Sequence, residues 1–357
     1  MKKHKVIIVG AGRIFNKHID YIKSKYNKFF ELVSIIEKKS SKHKSLLCYN
    51  VPIFQSYKEV INKFDFETAI ILTESGTHAN IAEFFLKHKK NTIIEKPIAV
   101  NLKEAEKLVE LEKKFKKNVF IVKQNRFNLP VVKLKEAIDK GALGNIFLAT
   151  TRVRWKRDQS YYDQASWRGT YKNDGGVLCN QAIHHVDLLQ WLVGDVKSVY
   201  GKKNNISAKI QCEDLAVALI HFKNGALGTL EATTAVRPTD LEGSISILGT
   251  KGSVIIKGFS ANKIENWNFK LNKNNKLDYS KFNENPPNVY GFGHQRFYKF
   301  VENVLKKKEK NSLSSSEGIK SLKIVTALYK SFEKNREVFM NENLYTTKLG
   351  KLSEKKG

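Results

Sequence analysis

Lys5-Val6-Ile7-Ile8-Val9-Gly10-Ala11-Gly12-Arg13-Ile14 decides the fold of this chain. An apolar run of strand length, Lys5–Val9, stops at a glycine turn, and residues with helical spacing (Ile14, His18, Tyr21, Ile22) follow over Arg13–Lys25. Strand, glycine turn and helix in that order form the setting of a dinucleotide fingerprint. Gly10 suits the tight turn, and Gly12 lets the backbone approach a pyrophosphate. The amides of a helix starting near Arg13 and Ile14 would face the phosphates. The third glycine position holds Phe15, a large side chain that demands a local adjustment of helix against strand.

Strand and helix patterns alternate onward. Strands are expected at Glu31–Ile36, Ala69–Leu72, Thr92–Glu95 and Val119–Val122, and helices at Ser40–Cys48, Thr77–His88 and Asn101–Phe115. Asn101 with Glu104 reads as a capped start of the last helix. Continuous β-branched strands between helices imply a parallel sheet covered on both faces. Glu37, at the end of the second strand, is placed to accept from ribose hydroxyls and to repel a 2′-phosphate, which favours NAD. Thr73, Ser75 and His78 lie in the loop after the Ala69–Leu72 strand, at the sheet's carboxyl edge, with Thr77 a candidate cap and His78 facing either ribose or solvent. Thr92-Ile93-Ile94 then runs into Glu95-Lys96-Pro97, which puts a lysine at a strand end beside the expected cofactor.

The pattern changes after Val122. Helix is expected at Pro130–Asp139, β structure at Asn145–Trp155, and one strong helix over Val177–Leu192. Strand-like runs with glycine turns follow at Leu215–Phe222, Ala226–Ala235, Ser244–Leu248 and Ser253–Ile256, the signature of an antiparallel sheet. Helices at His294–Leu305 and Ser316–Lys334 finish the pattern. The fold class is therefore α/β: a doubly wound Rossmann domain over 1–122, an α+β domain with an open antiparallel sheet over 123–347, and a frayed tail over 348–357.

In the Val177–Leu192 helix, Asn180 and His184 are spaced i and i+4 and share a face. Gly175-Gly176 before them permits close backbone approach by something bulky, such as a cofactor ring. His184-His185-x-Asp187 makes a poor metal set, because adjacent helical residues diverge by about 100°, and no metal is expected. Cys48, Cys179 and Cys212 form no disulfide or metal pattern and suit a reducing, cytoplasmic setting. Lys and Arg number 63 against 35 Asp and Glu, a net charge of +28. The basic clusters lack interleaved stacking aromatics, so nucleic-acid binding is not expected. No apolar run reaches the roughly 18 residues of a membrane span.

Three motifs together resemble the glucose-fructose oxidoreductase/inositol dehydrogenase family: Gly-x-Gly-Arg-Ile at 10–14, Glu95-Lys96-Pro97, and Gly-Gly-(x)3-Asn-(x)3-His at 175–184. Val122–Asn128, Ala165-Ser166-Trp167-Arg168-Gly169 and Asn180–Trp191 are similar to a narrower branch. That branch oxidises the 3-hydroxyl of UDP-N-acetylglucosaminuronic acid for surface-polysaccharide synthesis, including lipopolysaccharide O-antigen. The resemblance implies catalytic roles for Lys96 and His184, with Asn180 orienting or binding sugar where many relatives carry aspartate. It places Gly10, Ala11, Gly12, Arg13, Ile14, Glu37, Thr73, Ser75, His78, Glu95, Lys96 and Gln124 at the cofactor. Lys123, Asn125, Arg126, Trp167, Arg168, Tyr171, Asn180 and His184 fall at the substrate, with Lys172 a further candidate cation. His294 either caps its helix or reaches the site. The expected partners are a UDP-sugar, a 2-oxo acid as a candidate hydride acceptor, and further copies in a homodimer or homotetramer. A dehydrogenase of a free sugar or polyol and a non-catalytic NAD-binding sensor are the alternatives.

Overall fold

The computed structural model describes residues 3–269, 279–286 and 290–351. They form two compact units, one of Met1–Val122 with His294–Ile319, the other of Lys123–Gly293 with Lys320–Gly357. The chain thus re-enters the first unit at His294–Ile319. That return is made by long-range packing, which periodicity inside 123–347 does not encode.

The first unit carries six strands: β1 (His4–Val9), β2 (Phe30–Ile36), β3 (Ile53–Phe54), β4 (Thr68–Ile71), β5 (Asn91–Ile94) and β6 (Val119–Ile121). They pair in the order β3-β2-β1-β4-β5-β6, all parallel. β1, β4 and β5 are almost wholly buried, as strands covered on both faces must be. The strand order reverses between β1 and β4, and in open α/β sheets the crevice at such a reversal takes the ligand. Helices α1 (Phe15–Ile22), α2 (His78–Lys87) and α3 (Leu102–Phe115) complete the windings. The side chain of Asn101 caps α3 by accepting from Lys103 N at 2.9 Å. α1 is shorter than the expected Arg13–Lys25 and starts at Phe15, whose ring is buried edge-on against Tyr49. Ser40–Tyr49 is a string of short turns around the four-residue helix His43–Leu46.

The second unit holds α4 (Leu129–Asp139) and an eight-stranded sheet: β7 (Ile146–Arg154), β8 (Val196–Asn204), β9 (Leu215–Phe222), β10 (Leu227–Thr233), β11 (Glu242–Gly249), β12 (Gly252–Lys257), β13 (Lys263–Phe269) and β14 (Val338–Phe339). Its order is β13-β12-β11-β7-β10-β9-β8-β14. The sheet is mixed rather than purely antiparallel, because β7 pairs parallel with β10 and antiparallel with β11. β8, β13 and β14 carry no apolar alternation that would announce them; β8 reads Val-Lys-Ser-Val-Tyr-Gly-Lys-Lys-Asn. The expected single helix over Val177–Leu192 is two: α5 (Val177–Asn180) and α6 (Ile183–Val193). Ala182 N donates to Val177 O at 2.7 Å and His185 N to Ala182 O at 2.8 Å, so the helical ladder breaks at Gln181-Ala182. The late helices are α7 (Gly293–Leu305) and α8 (Ser315–Lys334). The tail is fixed further than expected: Leu349 is buried and Gly350 N donates to Tyr171 O at 2.8 Å. Of the expected frayed segment, residues 352–357 lie outside the described residues. No helix among the described residues is long and apolar enough to cross a membrane.

Candidate functional site

In the first unit, three loops leave the carboxyl ends of neighbouring strands: the glycine turn after β1, Thr73–Thr77 after β4 and Glu95–Pro97 after β5. Gly10 has φ +97°, and a Cβ there would stand 3.0 Å from the backbone of Leu72. Only glycine serves at that position. Gly12 is different. A Cβ on it would meet nothing nearer than Leu72 O at 3.8 Å, so the protein itself does not require glycine there. Gly12 and Arg13 are exposed, which leaves the backbone open to a phosphate-bearing group.

Glu37 is buried at the end of β2. Its carboxylate accepts from Ala11 N at 2.8 Å and Lys39 N at 2.9 Å, with Lys42 Nζ at 3.8 Å. It therefore ties the glycine turn to β2 and keeps an anion where a 2′-phosphate would have to sit. These residues fit a dinucleotide without that phosphate.

Two expected cofactor residues have hydrogen-bond partners within these loops. His78 is neither at solvent nor open to a ribose: its ring nitrogens lie 2.8 Å from Pro97 O and 3.0 Å from Thr73 O, clamping the two loops together. Thr73 and Thr77 pair through their hydroxyls at 2.8 Å, and Thr77 supplies no side-chain cap to α2. Ser75 is buried in that same loop.

Glu95 points into the core. His18 Nε2 donates to it at 3.0 Å, and His18 Nδ1 meets the Tyr298 hydroxyl at 2.7 Å. His294 is buried beside it, with Nε2 3.8 Å from the carboxylate; of its two expected roles the side-chain cap of α7 is not made, since neither ring nitrogen has a hydrogen-bond partner. Burial alone would raise the pKa of Glu95. The imidazoles of His18 and His294 outweigh it and hold the acid well below the usual carboxylate range. The three side chains include ligand types for a cation. The carboxylate accepts only, however, so His18 Nε2 carries a proton and offers no lone pair. The cluster instead anchors the strand end that carries Lys96, whose backbone N–H donates to Glu95 Oε2 at 3.1 Å.

In the second unit, Gln124–Phe127 forms a tight turn in which Gln124, Asn125 and Arg126 are all buried. Gln124 meets His184, with Nε2 of each 3.2 Å apart, while Gln124 Oε1 and Asn125 Oδ1 have no hydrogen-bond partner. His184 is itself buried at the start of α6. Lys123 and Arg126, expected at a substrate anion, are both engaged by Asp187. Arg126 grips it with two bonds of 2.7 and 2.9 Å, and Lys123 bonds the same carboxylate. Burial alone would raise the pKa of Asp187. The two cations outweigh it and hold the group at about 2.

Arg168 keeps its charge for other work. Its guanidinium lies over the Tyr161 ring at 4.4 Å and the Trp167 ring at 4.7 Å, and donates to Tyr161 OH at 2.7 Å. Its Nε is buried without a partner, and no carboxylate among the described residues pairs with it. A cleft of about 690 Å³ opens beside it, lined by Gln159, Tyr162, Arg168, Thr170, Lys209 and Gln211. Tyr171 accepts from Lys203 at 2.8 Å; Lys172 is exposed.

Gly175-Gly176 does admit something bulky, but it is the protein's own buried Glu213. A Cβ on Gly176 would stand 2.3 Å from Glu213 O. Glu213 and Tyr329, 2.6 Å apart, fix the segment that leads to Asn180. Asn180 sits at the end of α5, across the helix break from His184, and its amide N–H2 donates to Asp174. Asp174 and Glu213 are surroundings of this segment that the motif spacing did not single out, and Asp187, weighed only as a metal ligand, is the partner of Lys123 and Arg126.

The sequence profile described as "Oxidoreductase family, NAD-binding Rossmann fold" matches residues 4–123, and that described as "Oxidoreductase family, C-terminal alpha/beta domain" matches residues 135–340. The chain belongs to this glucose-fructose oxidoreductase/inositol dehydrogenase/MocA family. It is an NAD-dependent oxidoreductase. Among solved structures it is similar to the WlbA dehydrogenase of Bordetella pertussis, in complex with NADH and UDP-GlcNAcA: 33% identity over 96% of this chain and 99% of that one, TM-score 0.91. The WlbA dehydrogenase of Chromobacterium violaceum, in complex with the same two molecules, is 32% identical over 96% and 97%, TM-score 0.89. A myo-inositol 2-dehydrogenase of Thermotoga maritima is 23% identical over 94% of this chain and 98% of its own length.

His185, next to His184, has a different fate within the family architecture. It is fully buried, packs edge-on against Trp155 at 5.9 Å, and neither ring nitrogen has a hydrogen-bond partner. Burial pushes its pKa down to about 4, against a small opposing contribution from the Gly243 backbone. The folded protein therefore binds fewer protons than the unfolded chain between about pH 4 and the unperturbed value near 6.5. Stability from this group is complete above 6.5 and is lost as pH falls toward 4, by roughly 3 kcal/mol. In His185→Phe, urea titrations across that window should show a flatter fall than the parent; parallel falls would show that His185 does not titrate there.

Proposed function

We propose that this oxidoreductase removes hydride from C3 of a UDP-N-acetylhexosaminuronate of the UDP-N-acetylglucosaminuronic acid type, giving the 3-keto sugar nucleotide for surface-polysaccharide synthesis. The observation that carries this reading is the likeness to two dehydrogenases held with UDP-GlcNAcA, at 32–33% identity over 96% of the chain.

The residues suit the chemistry. A secondary alcohol loses a proton from oxygen and a hydride from carbon. NAD, when bound, accepts the hydride. His184 takes the hydroxyl proton, the role a neutral imidazole serves near physiological pH. Lys96, at the end of β5, places an ammonium against the developing alkoxide. Gln124 holds the His184 ring, and the unpartnered oxygens of Gln124 and Asn125 accept from sugar hydroxyls. Arg168, its charge unshared with any described carboxylate, takes the pyrophosphate or the uronate. Lys123 and Arg126 serve as scaffold through Asp187. The exposed apolar residues Val217, Leu219 and Leu227, on the outward face of β9 and β10, support assembly of identical copies through the open sheet.

The test is incubation of the protein and NAD with UDP-N-acetylglucosaminuronic acid, myo-inositol and glucose in parallel, with and without 2-oxoglutarate. Reduced nicotinamide is followed by absorbance and the product by mass spectrometry. A 3-keto sugar nucleotide is the expected product. Turnover of inositol or glucose alone would replace the substrate class, and a flat trace with all three would favour a cofactor-binding sensor.

A further inference from the structure

The carboxylate of Asp174 is buried one residue before Gly175-Gly176, in a place the motifs do not mark. One of its oxygens accepts from Gly169 N at 2.7 Å, and the other accepts from the side-chain amide of Asn180. Its own loop is closed on Thr170 O by Asp174 N at 3.1 Å and Gly175 N at 2.9 Å, so the carboxylate is held in place by its backbone.

An asparagine side chain has nearly the same shape in either amide orientation, so its neighbours decide which end faces where. A carboxylate only accepts. Asn180 must therefore turn its N–H2 toward Asp174 and direct Oδ1 away from it. Position 180 then presents a neutral acceptor on the side away from Asp174, suited to a donated hydroxyl and unable to take up a proton. The same carboxylate fixes Gly169, the residue after Arg168. Through it, the segment carrying Trp167 and Arg168 is set in register with the segment carrying Asn180 and His184.

We propose that Asp174 is the positioning residue of this oxidoreductase: it sets the amide orientation of Asn180, making position 180 a hydrogen-bond acceptor for a substrate hydroxyl, and holds the Arg168 segment to it. This rests on the reading above for what Asn180 touches, and on the second unit alone for the Asp174–Asn180 pair.

The test uses the full chain with NAD and three variants. In Asp174→Asn, the donors of Gly169 and Asn180 both face an amide with a single acceptor oxygen, so one donor is left opposing N–H2. The loss expected in kcat/KM is about ten- to a hundred-fold, the scale of a small misplacement of a reacting group. The pair is rebuilt in reverse by Asp174→Asn combined with Asn180→Asp: Asn at 174 accepts from Gly169 and donates to the carboxylate now at 180. That double variant should regain at least ten-fold over Asp174→Asn. It should also gain a new limb on the acid side of its kcat/KM profile, because the acceptor at 180 now titrates. Asn180→Asp alone sets two carboxylates against each other and should fall below the double variant.

A substrate-independent readout is the side-chain N–H2 resonance of Asn180 in 15N-labelled protein, assigned by its disappearance in Asn180→Asp. It should move on Asp174→Asn. An unmoved resonance, or an Asp174→Asn variant with parental kcat/KM, or a double variant that recovers thermal stability without recovering kcat/KM, would overturn the proposal. If the parent turns over no UDP-sugar, the substrate reading fails while the resonance still decides the pair.

Discussion

Replacing His184 with asparagine should lower kcat by roughly a hundred- to ten-thousand-fold, the range for a positioned general base. Asparagine preserves a polar side chain near Gln124 but cannot take a proton. KM should change little, because the hydroxyl's proton is transferred only as the transition state forms. Lys96→Met should cost about a hundred- to a thousand-fold, the scale of removing one preorganised charge from an oxyanion site. Cofactor binding separates loss of chemistry from loss of fold. Calorimetric titration with NAD should remain near the parental affinity in His184→Asn, because His184 lies in the second unit and the glycine turn in the first. Two variants within threefold of parental turnover on a confirmed substrate would remove both residues from the mechanism.

Asp187→Ala should destabilise the second unit by about 3–5 kcal/mol, because it removes the buried carboxylate that pairs with two buried cations. Lys123, Arg126 and Asp187 are all almost inaccessible to water, with side-chain exposures of 4–5%. Arg126 also packs its guanidinium over the Trp191 ring at 4.9 Å, so it cannot swing out to solvent without losing that contact. The measurement is a urea titration, in which the midpoint should fall with little change in slope. Asp187→Asn keeps one acceptor and should lose less. The folded-state pKa of about 2 lies below the unfolded carboxylate value near 3.8. This stabilisation is therefore present above about pH 4 and is lost as pH falls through 2. A midpoint unchanged in Asp187→Ala would mean that the ion cluster contributes nothing net.

The two-part architecture was legible because its signals are local. Val6–Val9 followed by Gly10 and Gly12 is a strand, a turn and a helix start in one short stretch, and the parallel sheet follows from repeated β-branched runs. The glycine turns joining the Leu215–Phe222 run to Ala226–Ala235 and the Ser244–Leu248 run to Ser253–Ile256 were equally plain, and both pairs formed as antiparallel neighbours. The failures share a physical cause. The break at Gln181-Ala182 carries no glycine or proline to announce it; backbone bonds to Val177 and Ala182 impose it. β8 hides its inward alternation under lysines. Sequence shows the charge of Lys123 and Arg126 but not that Asp187 pairs with both. Glu95 and His294, far apart in sequence, share a buried cluster that only the return of the chain to the first unit creates. Spacing picked out Asn180 and His184; Gln124, expected at the cofactor, meets His184 instead, and the structure added Asp174 beside Asn180.

The parallel pairing of β7 with β10 has a consequence for how the second unit is made. β7 sits between β10 and β11, and its side-chain bonds to those strands join residues 79 and 93 positions apart, Thr150 with Thr229 and Thr151 with Ser244. The β9–β10 and β11–β12 hairpins close over short loops and can form early, whereas β7 gains partners only through long loop closures. On a ribosome, β7 emerges with both edges open and waits for most of the unit to be synthesised. During that interval it is the segment most exposed to mispairing with another chain.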